Sequence, residues 1–195
     1  ISKSYPGTEA LKEISFNVVK GSIHGLIGPN GAGKSTTMNI IAGLTTPTSG
    51  ELIINGKGIG LLPENPPLYL NMKVGEFLTF VAEINGVEKS ILKERVKEIV
   101  QKCGLVEVEG RIIGNLSKGF KQRVGIASTL VFSPAIIILD EPTVGLDPFS
   151  IMEIRELIVS LKKEHTILLS THQLHEANLI CSDITIISRG QILRS

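Results

Sequence analysis

The string Gly28-Pro29-Asn30-Gly31-Ala32-Gly33-Lys34-Ser35 fits the spacing G-x-x-x-x-G-K-[ST] at every fixed position. Phosphate oxygens need close donors on several sides. Glycines leave backbone N–H groups unhindered, and a helix opening from the loop adds more N–H groups and the positive end of its dipole. Lys34 is then expected to reach the β and γ phosphates of a nucleotide, and the Ser35 hydroxyl to complete a Mg2+ shell. The second chemical element is Asp140-Glu141, adjacent carboxylates directly after the most apolar run in the chain. Such neighbours repel and lose hydration, which is tolerable when one faces a metal and the other holds water. Asp140 is assigned to Mg2+, and Glu141 to orienting or deprotonating an attacking water. The plainer reading, an acidic pair capping the turn at Pro142-Thr143, carries less weight beside a phosphate loop.

Two further segments bear on the same chemistry. His172 follows another apolar run, in Ser170-Thr171-His172. Placed in the same sheet, its imidazole reaches the γ phosphate or the water; His24, His165 and His175 lack that placement and are read as structural. In Asn115-Leu116-Ser117-Lys118-Gly119-Phe120-Lys121-Gln122-Arg123, Ser117 is a good N-cap for a helix running to about Phe132. Gly119 leaves the first turn of that helix open, as a second anion site requires.

The elements that must position these groups have one grammar. Ile23–Ile27, Ala135–Leu139, Thr166–Leu169 and Ile184–Ile187 are short β-branched runs without polar alternation. Strands of that kind are covered on both faces, which predicts a mostly parallel sheet with helices on each side and ligands beyond the strands' carboxyl ends. Helices are predicted from Lys34 to Leu44, from Ser90 to Cys103 with Ile91, Leu92, Val96, Ile99 and Val100 on one side, and from Ile151 to Lys163. About ninety residues separate the first strand-loop-helix unit from the second apolar strand, too many for one crossover. An inserted lobe is therefore expected from about 65 to 115, bounded by Pro63-Glu64-Asn65-Pro66-Pro67 and Gly114-Asn115.

Composition narrows the function classes. A chain of 195 residues with 42% hydrophobic content is one globular domain with or without such a lobe. With 20 Lys+Arg against 19 Asp+Glu, no net charge draws it to nucleic acid or an anionic bilayer, so an anion must be caught by a local site. The greasiest stretch, Leu130 to Leu139, is broken by Ser133 and Pro134 and falls short of the ~20 apolar residues of a membrane span. Cys103 and Cys181 have no metal or redox spacing and read as reduced, packed thiols on a cytosolic face.

Taken together, these motifs resemble the nucleotide-binding domain of an ATP-binding cassette (ABC) transporter over essentially the whole chain. Gly28 to Thr36 is similar to the Walker A loop, Ile136 to Glu141 to the Walker B strand, and Leu116 to Phe120 to the family signature. Val144-Gly145-Leu146-Asp147 resembles the D-loop, Ser170-Thr171-His172 the switch histidine, and Tyr5 the aromatic residue that stacks on adenine. The resemblance implies an α/β P-loop NTPase with a mostly parallel central sheet, a small N-terminal antiparallel β part and a helical subdomain at 65–115. It implies ATP as substrate with Mg2+, Glu141, His172 and Lys34 as catalytic residues, and Ser35, Glu64 and Asp140 around the metal. It also implies a second ATPase subunit, whose signature completes each site, integral membrane permease subunits, no nucleic acid, and a place at the cytoplasmic face of the membrane. In the signature Lys118 replaces a glycine of LSGGQ and Phe120 its glutamine, and Glu64 stands where the family has Gln. The LPEN and LSKGF variants are similar to those of an exporter branch. Family members usually carry a strand before Ile1 and a longer stretch between Gly56 and Ile59, so a domain incomplete at both places is expected. A soluble ABC ATPase acting on nucleic acid or ribosomes is the rival reading, and lacks visible coiled coils, zinc modules or a twin cassette here.

Overall fold

The computed structural model describes residues 1–194. Two short strands, β1 (Lys3–Tyr5) and β2 (Thr8–Leu11), pair as an antiparallel hairpin. A second sheet contains β3 (Ile23–Ile27), β4 (Ile59–Leu62), β5 (Ile136–Leu139), β6 (Thr166–Thr171), β7 (Asp183–Ser188) and β8 (Gln191–Arg194). Its order is β4-β5-β6-β3-β7-β8, parallel except for the closing β7–β8 pair. The predicted α/β class with a small N-terminal antiparallel part is what forms. All four apolar runs become strands, Ile23–Ile27 with both ends as expected and the other three with ends shifted by one or two residues.

Six helices connect the described strands: α1 (Lys34–Ile41), α2 (Val74–Ile84), α3 (Lys89–Lys102), α4 (Lys118–Leu130), α5 (Pro148–Leu161) and α6 (Leu174–Ile180). Helix α1 ends three residues before the expected Leu44, because Gly43 takes a left-handed φ of 74° that closes the turn. Helix α5 begins three residues earlier than expected, since Asp147 caps it and Pro148 occupies its first turn. In α3, Leu92, Val96, Ile99 and Val100 are buried, whereas Ile91 is exposed and is corrected from the predicted apolar face.

Alternation along the strands divides the core into two layers. Ile137, Leu139, Ile167 and Leu169 face a cluster with Val74, Phe77, Val96, Ile99, Val124 and Ile158 from the helices after α1. Leu26, Ile138 and Leu168 face the other way, onto Met38 and Ile40 of α1 and Leu11 and Ile14 near the hairpin. At eight residues, α1 is too short to persist alone. Burial of Met38 and Ile40 contributes about 1.5–3 kcal/mol each and holds it on the sheet. Residues 65–115 carry α2, α3 and two 3-10 turns, and their buried side chains run on into the first of these clusters.

Candidate active site

Strand order assembles the site. β6 lies between β3 and β5, with Ile27 opposite Thr171 and Leu139 opposite Leu169. The ends of three strands therefore bring Gly28, Asp140 and the Ser170–His172 segment to one edge of the sheet. Gly28 N–H donates to the Thr171 carbonyl at 3.3 Å and Asp140 N–H to the Leu62 carbonyl at 2.8 Å, fixing both turns to their neighbours.

The loop after β3 is shaped for an anion. Gly33 precedes α1 at φ 110°, where a Cβ would sit 2.6 Å from Leu11 Cδ2, so no larger residue fits without displacement. No side chain caps α1 and no acidic residue occupies its first turn. Its first N–H groups, which helix geometry leaves without intrahelical partners, therefore have no side-chain cap either. Lys34 curls back over the loop and donates to the carbonyls of Gly28 at 2.7 Å and Pro29 at 3.3 Å. Its ammonium also lies 3.4 Å from Glu141 Oε1.

The acidic pair is divided by its partners. Asp140 accepts from the Ser35 hydroxyl at 2.8 Å and from the Ser170 hydroxyl at 2.5 Å. Ser170 Oγ in turn accepts from Glu141 N–H at 2.9 Å. Glu141 itself is buried, at φ 48°, and its Oε2 contacts His172 Nδ1 at 2.9 Å. With the carboxylate ionised, Nδ1 is the donor of that bond. Oε1 is buried without a hydrogen bond and faces the Lys34 ammonium at 3.4 Å. Ser35 and Asp140 supply adjacent hard oxygen ligands, but no described group of three or more His, Cys, Asp or Glu residues forms a metal cage. That donor set fits Mg2+ held jointly with phosphates and not by protein alone.

A cleft of about 580 Å³ opens over these groups, lined by Asn30 to Thr36, Glu64, Asp140 and Glu141. Glu64 thus stands at its rim. Thr8, Glu9, Ala10, Lys12 and Arg189 also line it and were missed in the sequence, where nothing local distinguishes them. They arrive because Lys12 N–H donates to the Gly190 carbonyl at 2.7 Å and Gly190 N–H to the Ala32 carbonyl at 2.9 Å. Tyr5 is not among the lining residues; it is exposed on the hairpin, with the Lys3 ammonium 5.0 Å from its ring centre.

The segment Leu116 to Phe120 lies outside the cleft. Ser117 caps α4 by accepting from Phe120 N–H at 3.3 Å, and keeps its own hydroxyl proton to donate. Phe120 packs beside the Arg123 guanidinium at 5.7 Å. A Cβ on Gly119 would lie 2.6 Å from Ser150 Oγ, and the Lys118 ammonium lies over Gly145. Asp147 caps α5 through Ser150, accepting from its amide at 3.0 Å and its hydroxyl at 2.6 Å. Those bonds hold the Asp147 carboxyl below its ordinary pKa. His24 and His165 are buried, bonded to Thr185 and to the Pro134 carbonyl, and His175 is exposed. Both cysteines are free thiols.

A phosphate loop, a lysine and an acidic pair at the carboxyl edge of a doubly covered sheet define a P-loop nucleotide hydrolase. The family profile described as ABC transporter matches residues 11–144, and the chain belongs to that family. It is 41% identical over 202 residues to the lantibiotic transport ATP-binding protein SrtF of Streptococcus pyogenes, covering 99% of this chain and 86% of that protein. It is 38% identical over 206 residues to the bacitracin transport ATP-binding protein BcrA of Bacillus licheniformis, covering 99% of this chain and 66% of that one. The dimeric post-hydrolysis structure of the ATP-binding cassette MJ0796 with ADP and Pi superposes with a TM-score of 0.88 at 26% identity, covering 100% and 94% of the two chains. This chain is accordingly an ATP-binding cassette whose ATP hydrolysis powers a transporter. No described helix is long and apolar enough to cross a membrane.

Proposed function

We propose that the chain drives export as one of two ATPase subunits joined to integral membrane permeases at the cytoplasmic face of a membrane. One observation supports the hydrolytic reading most: the buried Glu141 carboxylate has an oxygen without a hydrogen bond, 3.4 Å from the Lys34 ammonium. When a triphosphate enters the loop, Lys34 exchanges the Gly28 and Pro29 carbonyls and Glu141 for β and γ phosphate oxygens. Glu141 Oε1 then accepts a proton from the attacking water while His172 holds Oε2 in place. Ser35 and Asp140, with Glu64 at the rim, would hold Mg2+, which neutralises phosphate charge when bound. Ser170 keeps Asp140 oriented throughout. Tyr5 is assigned to adenine through its open ring surface.

The signature Leu116 to Phe120 serves the nucleotide of a second chain, because Ser117 and Lys118 are exposed and outside their own cleft. Two ATP molecules are then clamped between two chains, and loss of the γ phosphate releases them. The helical segment 65–115 is assigned to the permease; Tyr69, Leu70, Ile84 and Ile112 are exposed there. Export is favoured by the likeness to the lantibiotic and bacitracin transport proteins, together with the LPEN and LSKGF variants. The test is Glu141→Gln, which keeps the phosphate cradle and removes the base. It should accumulate as an ATP-bound dimer on size exclusion with Mg-free ATP; a monomer alone at saturating nucleotide would reject the clamp.

A further inference from the structure

One buried charged cluster lies beside the cleft but not in it. Glu176, in the first turn of α6, is 7% exposed. Its Oε1 accepts from an Arg155 Nη2 on α5 at 2.8 Å, and its Oε2 accepts from the Thr143 hydroxyl at 2.6 Å. Thr143 is two residues beyond Glu141, and α6 begins two residues beyond His172. The carboxylate thus ties together the two segments that carry the 2.9 Å contact between Glu141 and His172.

Stability does not explain this arrangement well. A buried ion pair gives up hydration on both sides, and an apolar replacement of similar volume is often as stable. Arg155 Nε is moreover buried without a partner, so its hydrogen bonding is incomplete. What one carboxylate bonded to groups on two other elements does supply is a set distance. The turn after Glu141 needs one, because Glu141 sits at φ 48°, a left-handed conformation disfavoured for a side chain with a Cβ. Within the turn, Val144 N–H donates to the Glu141 carbonyl at 3.1 Å. The Thr143–Glu176 bond restrains the same turn from outside.

We propose that Glu176 is a positioning residue for ATP cleavage: by gripping Thr143 and Arg155 it keeps the turn after Glu141 against α6, so that His172 Nδ1 stays on the Glu141 carboxylate. The proposal rests on the reading of Glu141 as the base. It is tested in the full-length chain with Thr143→Val, Thr143→Ser and Glu176→Gln, measuring kcat and KM for ATP beside the thermal unfolding midpoint. Misplacement of a base lowers kcat before it touches binding, so Thr143→Val and Glu176→Gln should lose roughly ten- to a hundredfold in kcat. KM should stay near wild type in both. The unfolding midpoint should fall more in Glu176→Gln, which leaves the Arg155 charge without its partner, than in Thr143→Val, although their kcat losses are alike. Thr143→Ser should recover most of the kcat loss. Wild-type kcat in Thr143→Val, a Thr143→Ser as slow as Thr143→Val, or a fall in unfolding midpoint that parallels kcat would each overturn the proposal. Glu141→Gln assayed alongside separates the two ideas. If it keeps hydrolysing, the reading of Glu141 fails; if it is inert while Thr143→Val is fully active, only the role of Glu176 is lost.

Discussion

Lys34 is surrounded by the Gly28 and Pro29 carbonyls and Glu141 Oε1, three oxygens that a triphosphate tail would replace with more negative ones. Hydrogen bonds to charged groups contribute about 1.5–3 kcal/mol each. Lys34→Ala is therefore expected to weaken ATP binding about tenfold to a hundredfold, read by titration with Mg-free ATP so that turnover plays no part. Unchanged affinity would remove Lys34 from the phosphate site. The lysine, hydroxyl and carboxylates that the fold brings to one cleft were legible in the sequence because their chemistry is written in local order: a loop lysine, a following hydroxyl, and two carboxylates after an apolar run. Ser170 was not. Its hydroxyl joins Asp140 Oδ1 to Glu141 N–H, a double role that exists only because β6 lies between β3 and β5. Lys12 and Arg189 were equally hidden, since a backbone bond between the segment after β2 and the β7–β8 turn carries them to the cleft.

Among the elements, the continuous apolar strands were the clearest to read, because burial on both faces removes any need for polar alternation. β4 was harder. Its IGLL contains Gly60, where a Cβ would lie 2.7 Å from the Thr129 carbonyl of α4, so helix packing and not strand propensity selects the residue. Helix α2, rich in apolar residues within 65–115, was covered by a boundary argument and not resolved as a helix. β3 also carries a pH dependence. His24 is buried with Nε2 2.8 Å from the Thr185 hydroxyl and Nδ1 without a hydrogen bond, and its ring stacks on Phe16. Burial lowers its pKa below 6.5, against the opposing charge of Asp183. The folded protein thus prefers neutral imidazole, while the unfolded chain takes a proton as pH falls through about 6.5. The stability is fully present above that pH and lost below it. The unfolding midpoint should accordingly drop from pH 7.5 to 5.5, and less so in His24→Gln. Equal drops in both proteins would show that another group titrates.

At the scale of the molecule, a single chain holds the glycine-rich loop, Lys34 and Glu141 in one cleft and displays Ser117 and Lys118 outside it. With charge nearly balanced, no net charge drives copies together or apart at long range, and the proposed clamp assigns their joining to nucleotide at the interface. Gly119 and Ser150 bring the start of α4 against the start of α5, so the signature segment and the Asp147 cap lie side by side, where the proposed clamp would meet a second copy. A subunit joined through ATP should also be inactive alone. The decisive measurement is ATP turnover per chain as the purified protein is diluted at saturating Mg-ATP. Turnover per chain should fall as dilution separates the copies and level off at high concentration. A rate per chain that stays constant where light scattering finds only monomers would contradict the clamp.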